Sequence, residues 1–86
     1  MDRMRSLRQI VTLADAGNFR KAAERLGVTH SALSQAIAKL EDSYGVPLFV
    51  RNKQETVPTA FGRRMVEAAR QALVEIERAE RDVAMM

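Results

Sequence analysis

The chain has 86 residues, 47% of them apolar, with 14 Lys/Arg against 11 Asp/Glu, one histidine and no cysteine, which suffices for one small core and little more. Disulfides and thiolate metal sites are excluded, the lone His30 cannot form a histidine cluster, and stability must come from packing without a metal or cofactor. No stretch approaches the ~20 uncharged apolar residues of a membrane span, and the opening Met1-Asp2-Arg3-Met4-Arg5 lacks the apolar run of a secretory signal, so a cytoplasmic protein is expected.

The charge is uneven. Residues 1–62 carry nine Lys/Arg against six Asp/Glu, whereas residues 63–86 carry five of each, so the whole net charge of +3 sits in the first part. That surplus permits contact with a polyanion without demanding it.

In chain order, Ser6 and Gln9 fit a capping box, and Leu7, Ile10, Val11 and Ala14 recur at helical spacing up to Gly17, predicting a first helix over about Leu7–Ala16. Asn18 is the next N-cap, and Ala22, Ala23 and Leu26 give a short second helix, Phe19–Leu26, that Gly27 ends. Thr29 caps a third helix, His30–Tyr44, which Gly45 terminates. At 100° per residue Leu33, Ile37, Leu40 and Tyr44 share one arc of it, while Ser31, Gln35 and Ala38 lie opposite, with Ser34 at their flank.

Pro47 blocks further helix, and Leu48, Phe49 and Val50 form a β-prone run that Thr56 and Val57 can answer, giving a hairpin over about 48–57 with a basic tip but no glycine at its turn. Thr59 caps a fourth helix from about Ala60 to Met86, roughly 40 Å long at 1.5 Å per residue, too long for the body before it.

The stretch from Phe19 to Leu40 has the layout of a helix-turn-helix: Ala23 is small where the helices cross, Gly27 makes the turn, Val28 plugs the angle, and Leu33 and Ile37 seat the second helix on the first. Two helices with a glycine turn also occur in other all-α domains. What favours a DNA reader is the polar face of the third helix, where Ser31, Ser34 and Ala38 are short enough to enter a major groove and Gln35 can bond adenine through its amide. A merely solvated face more often carries Lys and Glu.

His30 and Ser31 sit in the turn that enters such a groove first; His30 is either a base or phosphate contact or a plain surface side chain. Arg51 and Lys53 on the hairpin fit a wing lying along the backbone or the minor groove, the alternative being a solvated loop. Asn18 and Thr29 are candidate backbone contacts, and Arg20, Lys21, Arg25 and Lys39 are weaker ones, the alternative for each being a solvated side chain. Glu41 and Asp42 argue that the end of the third helix points away from phosphates.

On the fourth helix Met65, Ala69, Ala72, Ile76, Ala79, Val83 and Met86 follow one another at spacings of 4, 3, 4, 3, 4 and 3, a continuous seam flanked by Glu and Arg. Phe61 and Met65 are expected to pack on their own domain, and beyond Leu73 the seam is expected to pair with a second copy, in either orientation.

With these residues in place the chain resembles the N-terminal domain of the LysR-type transcriptional regulators. The match rests on Ala22-Ala23-Glu24-Arg25-Leu26-Gly27-Val28-Thr29 through Ala32-Leu33-Ser34, on Ile37 and Lys39-Leu40-Glu41, on Gly45-Val46-Pro47-Leu48-Phe49 and Arg51, and on Thr59 and Gly62. The resemblance implies a mainly α winged helix-turn-helix (residues 1–58) with a linker helix (59–86) that pairs two subunits, usually antiparallel, on a partly palindromic DNA site. It places His30, Ser31, Ser34 and Gln35 in the base-reading turn and Arg51 at the wing.

Two departures stand out. Where this family commonly has Gln, Pro and Arg, the chain has His30, Ser31 and Gln35, so the family's favoured operator does not carry over. Full-length members also continue into an α/β domain that binds a small inducer; no part of it lies in these residues, which are expected to be either an excised piece or a naturally short chain. An enzyme is not expected, since there is no Gly-rich phosphate loop and no recognisable carboxylate pair. The competing class is a protein-interaction module whose working surface is the seam.

Overall fold

In a computed structural model, which describes residues 2–52 and 54–86, the element order is α1 (Arg3–Ala16), α2 (Phe19–Leu26), α3 (His30–Tyr44), β1 (Phe49–Arg51), β2 (Thr56–Pro58) and α4 (Ala60–Met85). The chain is a winged helix-turn-helix with a long C-terminal helix.

Helix α1 starts a turn earlier than its sequence suggests. Asp2, not Ser6, is the N-cap, its Oδ1 accepting the Arg5 N–H at 3.2 Å. Ser6 is buried inside the helix, and its hydroxyl donates back to the Asp2 carbonyl at 3.1 Å. A serine that bonds the carbonyl four residues back is compatible with a helix interior, so the capping-box spacing was coincidental.

The remaining caps follow the sequence. Asn18 Oδ1 accepts from the Lys21 N–H at 2.7 Å, Thr29 Oγ1 from Ala32 at 3.0 Å, and Thr59 Oγ1 from Gly62 at 3.0 Å. Gly27, at φ +69°, closes α2 with a paired cap in which its own N–H reaches the Glu24 carbonyl and the Val28 N–H reaches Ala23. This cap, rather than a side-chain plug, sets the angle between α2 and α3: Val28 is 41% exposed and lies outside the core.

The core draws on every layer: Ile10 and Leu13 from α1, Phe19, Ala22 and Ala23 from α2, Leu33, Ile37 and Leu40 from α3, Leu48 and Phe49 at the wing's root, and Val66 and Ala69 from α4. Tyr44, at the end of the oily arc of α3, emerges from it. The wing is antiparallel, with Phe49 opposite Pro58, Val50 opposite Val57 and Arg51 opposite Thr56. Its turn needs no glycine because the Asn52 side-chain oxygen accepts the N–H groups of both Gln54 and Glu55. The Thr56 N–H, bonded at 2.7 Å to the Gly17 carbonyl, ties the wing to the α1–α2 corner.

One carboxylate holds the path from α3 into the wing. Glu41 Oε2 accepts the N–H groups of Leu48 (2.7 Å) and Phe49 (3.2 Å), donors that would otherwise be left partly buried without a partner. Truncation by Glu41→Ala is expected to cost about 2 kcal/mol, in the range for hydrogen bonds to a charged group. Glu41→Gln, which keeps an acceptor, should cost less. Urea melts of both variants check this; equal stability of Glu41→Ala and the parent would contradict it.

Helix α4 carries two adjacent stripes. Gly62, Val66 and Ala69 are buried, with Leu73 half-buried, and face the body; Ala72, Ile76, Ala79 and Val83 are exposed on an arc about 80° further round. Two seam expectations therefore change places. Ala69 is 1% exposed within its own domain, whereas Phe61, expected to pack there, is 56% exposed and falls on the arc of Ile76 and Val83. Both stripes have 3–4 spacing, so spacing alone could not fix which phase faced inward.

Arg70 clamps the root of α4 to the end of α1, both its Nη atoms donating to the Asp15 carboxylate. These hydrogen bonds hold the Asp15 carboxyl below the usual carboxylate range.

Candidate nucleic-acid interface

The outward face of α3 is made of Ser31, Gln35 and Ala38, all exposed, opposite buried Leu33, Ile37 and Leu40. Beside it lies an aromatic platform that the sequence did not disclose. Phe19, buried in the first turn of α2, carries the Arg51 guanidinium on its ring face at 3.6 Å and the tilted His30 ring at 5.7 Å between centroids. Arg51 Nη2 also donates to Ser34 Oγ at 2.7 Å. The wing is thereby pinned to α2 by a cation–π contact and to α3 by a hydrogen bond.

That geometry brings His30, Ser34 and Arg51 together. A guanidinium only donates, so Ser34 Oγ serves Arg51 as acceptor and keeps its own proton to donate elsewhere. Asn18 and Arg20 border the same shallow recess of about 360 Å³ with His30 and Arg51. The Asn18 side-chain oxygen and Thr29 Oγ1 are used as caps, which leaves the Asn18 amide protons and the Thr29 hydroxyl proton as donors. Arg20 pairs with Glu24 at 3.2 Å on the surface, a contact that solvent competes with.

The side chains of Gln35 and Ser31 are free of hydrogen-bond partners among the described residues. Lys39 lies apart from the recess, lining a cleft on the other flank of α3. Lys53 lies outside the described residues. The signal for the platform was an aromatic directly after an N-cap and an arginine two residues beyond a buried Phe; neither specifies a contact without the fold.

Fold and face together define a winged helix-turn-helix module. The chain matches the family model described as bacterial regulatory helix-turn-helix protein, lysR family, over residues 4–63, and it belongs to that family. It is 39% identical over 74 residues to the HTH-type transcriptional regulator IlvR of Caulobacter vibrioides, covering 86% of this chain and 25% of that protein. With the hca operon transcriptional activator HcaR of Escherichia coli the identity is 40% over 77 residues, covering 90% and 26%. The chain thus spans about a quarter of the length of these curated relatives.

Among solved structures it is similar to the CbnR DNA-binding domain in complex with DNA (32% identity, TM-score 0.85, 95% of each chain). It is also similar to full-length OxyR from Pseudomonas aeruginosa (38% identity, TM-score 0.82, 99% of this chain and 28% of that one).

Proposed function

We propose that these residues bind duplex DNA sequence-specifically, as a homodimer, for a cytoplasmic LysR-type transcription regulator and not as an enzyme. The observation that carries the reading is the small polar face of Ser31, Gln35 and Ala38, exposed beside a wing arginine fixed in place against Phe19 and Ser34. α3 enters the major groove, His30, Ser31, Ser34 and Gln35 face base edges, and Asn18, Arg20, Thr29, Lys39, Arg51 and Lys53 supply contacts along the backbone. Residues 1–58 read DNA and residues 59–86 pair the copies through Ala72, Ile76, Ala79 and Val83, with the root of the pairing helix seated in the reading body. The CbnR domain solved with DNA supports this by its similarity across the same stretch. No helix among the described residues is long and apolar enough to cross a membrane.

The test is a fluorescence-anisotropy titration on a selected and a random duplex at several salt concentrations. Binding should prefer the selected duplex and weaken as salt rises, because phosphate contacts release counterions. Gln35→Ala should lose about 1–3 kcal/mol of discrimination at one base pair, whereas Arg51→Ala should weaken all duplexes alike. Equal loss on every sequence for Gln35→Ala would remove its assigned role; equal affinity of the parent for both duplexes would remove specific recognition.

A further inference from the structure

Viewed down its axis, α3 has three working faces. The outward one (Ser31, Gln35, Ala38) lies between the wing flank, with His30 and Ser34 about 90° to one side, and a second flank, with Ala32, Ala36 and Lys39 about 100° to the other. Along that second flank an open cleft runs between α3 and the first turns of α1, and Arg5 and Arg8 line it together with Lys39. All three cations are exposed, and none makes a side-chain hydrogen bond or ion pair among the described residues. The carboxylate nearest in sequence, Asp2, also lines the cleft but is engaged in capping α1. Ala32 and Ala36 keep this side of α3 low, so no side chain of α3 before Lys39 stands between the arginines and an object lying along it.

A major groove is about 12 Å wide and a helix with its side chains about 10–12 Å across, so a helix lying in the groove has the phosphates of one strand along each flank. The wing, Asn18 and Arg51 serve one strand. Nothing assigned so far serves the other except Lys39.

We propose that Arg5 and Arg8 of α1, with Lys39, form a second phosphate-binding rail that holds the DNA strand on the flank of α3 away from the wing. The proposal rests on the DNA-binding reading above and extends it to α1, otherwise a purely structural helix. An acidic protein segment is a rival occupant, given the exposed Val28 at the cleft. The DNA backbone is favoured because the cleft shares Lys39 and one continuous edge of α3 with the base-reading face, so a duplex engaged by Gln35 passes over it.

The whole chain, an Arg5→Ala/Arg8→Ala variant and an Arg5→Lys/Arg8→Lys variant are titrated on labelled selected and random duplexes across salt, with circular-dichroism melts verifying the fold. Each lost phosphate contact lowers the slope of log K against log salt by about 0.9, so the alanine pair should be shallower by nearly two for each bound copy, about 3.6 for the dimer, and weakened alike on both duplexes, while the lysine pair regains most of the slope. Phosphate-ethylation interference should show the parent sensitive on both strands of a half-site and the alanine pair insensitive on one. An unchanged slope, interference unchanged on both strands, or an alanine-pair defect seen only in capture of an acidic peptide would overturn the second rail. A parent chain that binds no duplex at all would instead overturn the DNA-binding reading itself.

Discussion

Replacing Gly62 by alanine is expected to lower the melting temperature by about 12–24 °C, although alanine is the better helix former. Propensity alone favours the substitution by about 1 kcal/mol. Against it, a Cβ on Gly62 would sit 1.9 Å from the Leu48 carbonyl oxygen, 2.9 Å from its carbon and 3.2 Å from Pro58 Cβ. The obstacle is backbone, and that same oxygen accepts the Thr59 N–H at 2.9 Å, while the Thr59 hydroxyl is bonded to the Pro47 carbonyl at 2.7 Å. Moving Leu48 aside would break the junction where β1, β2 and α4 meet. Overpacking typically costs about 1–3 kcal/mol and a disrupted buried hydrogen bond a further 1–3, so the clash outweighs the propensity gain and leaves a net loss of about 3 kcal/mol. For a domain of this size each kcal/mol shifts the midpoint by about 4–8 °C. A calorimetric scan showing an unchanged or raised midpoint would contradict this reading of the junction.

Cutting the chain after Leu73 is expected to leave the fold intact and abolish pairing. From Val74 onward every residue is exposed, and Val83 is 68% exposed, so the cut removes no core side chain. What it removes is the row of Ile76, Ala79 and Val83, whose small and branched side chains suit close approach of a second helix and are exposed. In sedimentation the full chain should run as a dimer and the cut chain as a monomer with an unchanged helical signal per residue in the body. Linking two half-site readers raises affinity by about 10²–10⁴ through effective concentration, so the cut chain should lose a comparable factor on a two-half-site duplex and little on an isolated half-site. Undiminished dimerisation of the cut chain would place the interface elsewhere.

Much of this was readable in the sequence because it is encoded locally. The caps at Asn18, Thr29 and Thr59, the terminating glycines, and the opposed oily and polar faces of α3 each depend on residues within a turn or two. What escaped depended on distance or on phase. Glu41 read as a charge facing away from phosphates, yet its oxygen binds backbone donors seven and eight residues on. Arg51 read as a wing cation for the backbone or the minor groove, and its seat on Phe19 and Ser34 exists only once the wing folds back on α2 and α3. Ala69 and Phe61 traded places because two stripes of equal spacing run side by side on α4, and only the packed body selects between them. At the start of α1 the Ser6 capping box was the cap read from the sequence, whereas Asp2, which had not been read as one, caps a longer helix.

The site was legible to the level of its face and no further. Ser31, Gln35 and Ala38 identify a surface fit for a groove, while the base sequence it prefers depends on how His30 and Ser34 sit beside them when DNA is present. The Ser34 hydroxyl, already accepting from Arg51, keeps its proton to donate, which suits acceptors such as guanine N7 and O6 or thymine O4.

Selecting bound duplexes from a random pool with the full chain tests specific recognition of DNA by a paired winged helix-turn-helix. Enrichment of one sequence in two half-sites related by a two-fold axis, at a fixed spacing set by the α4 pair, is expected. A pool that shows no enrichment after repeated rounds, or one that enriches single half-sites without fixed spacing, would contradict it.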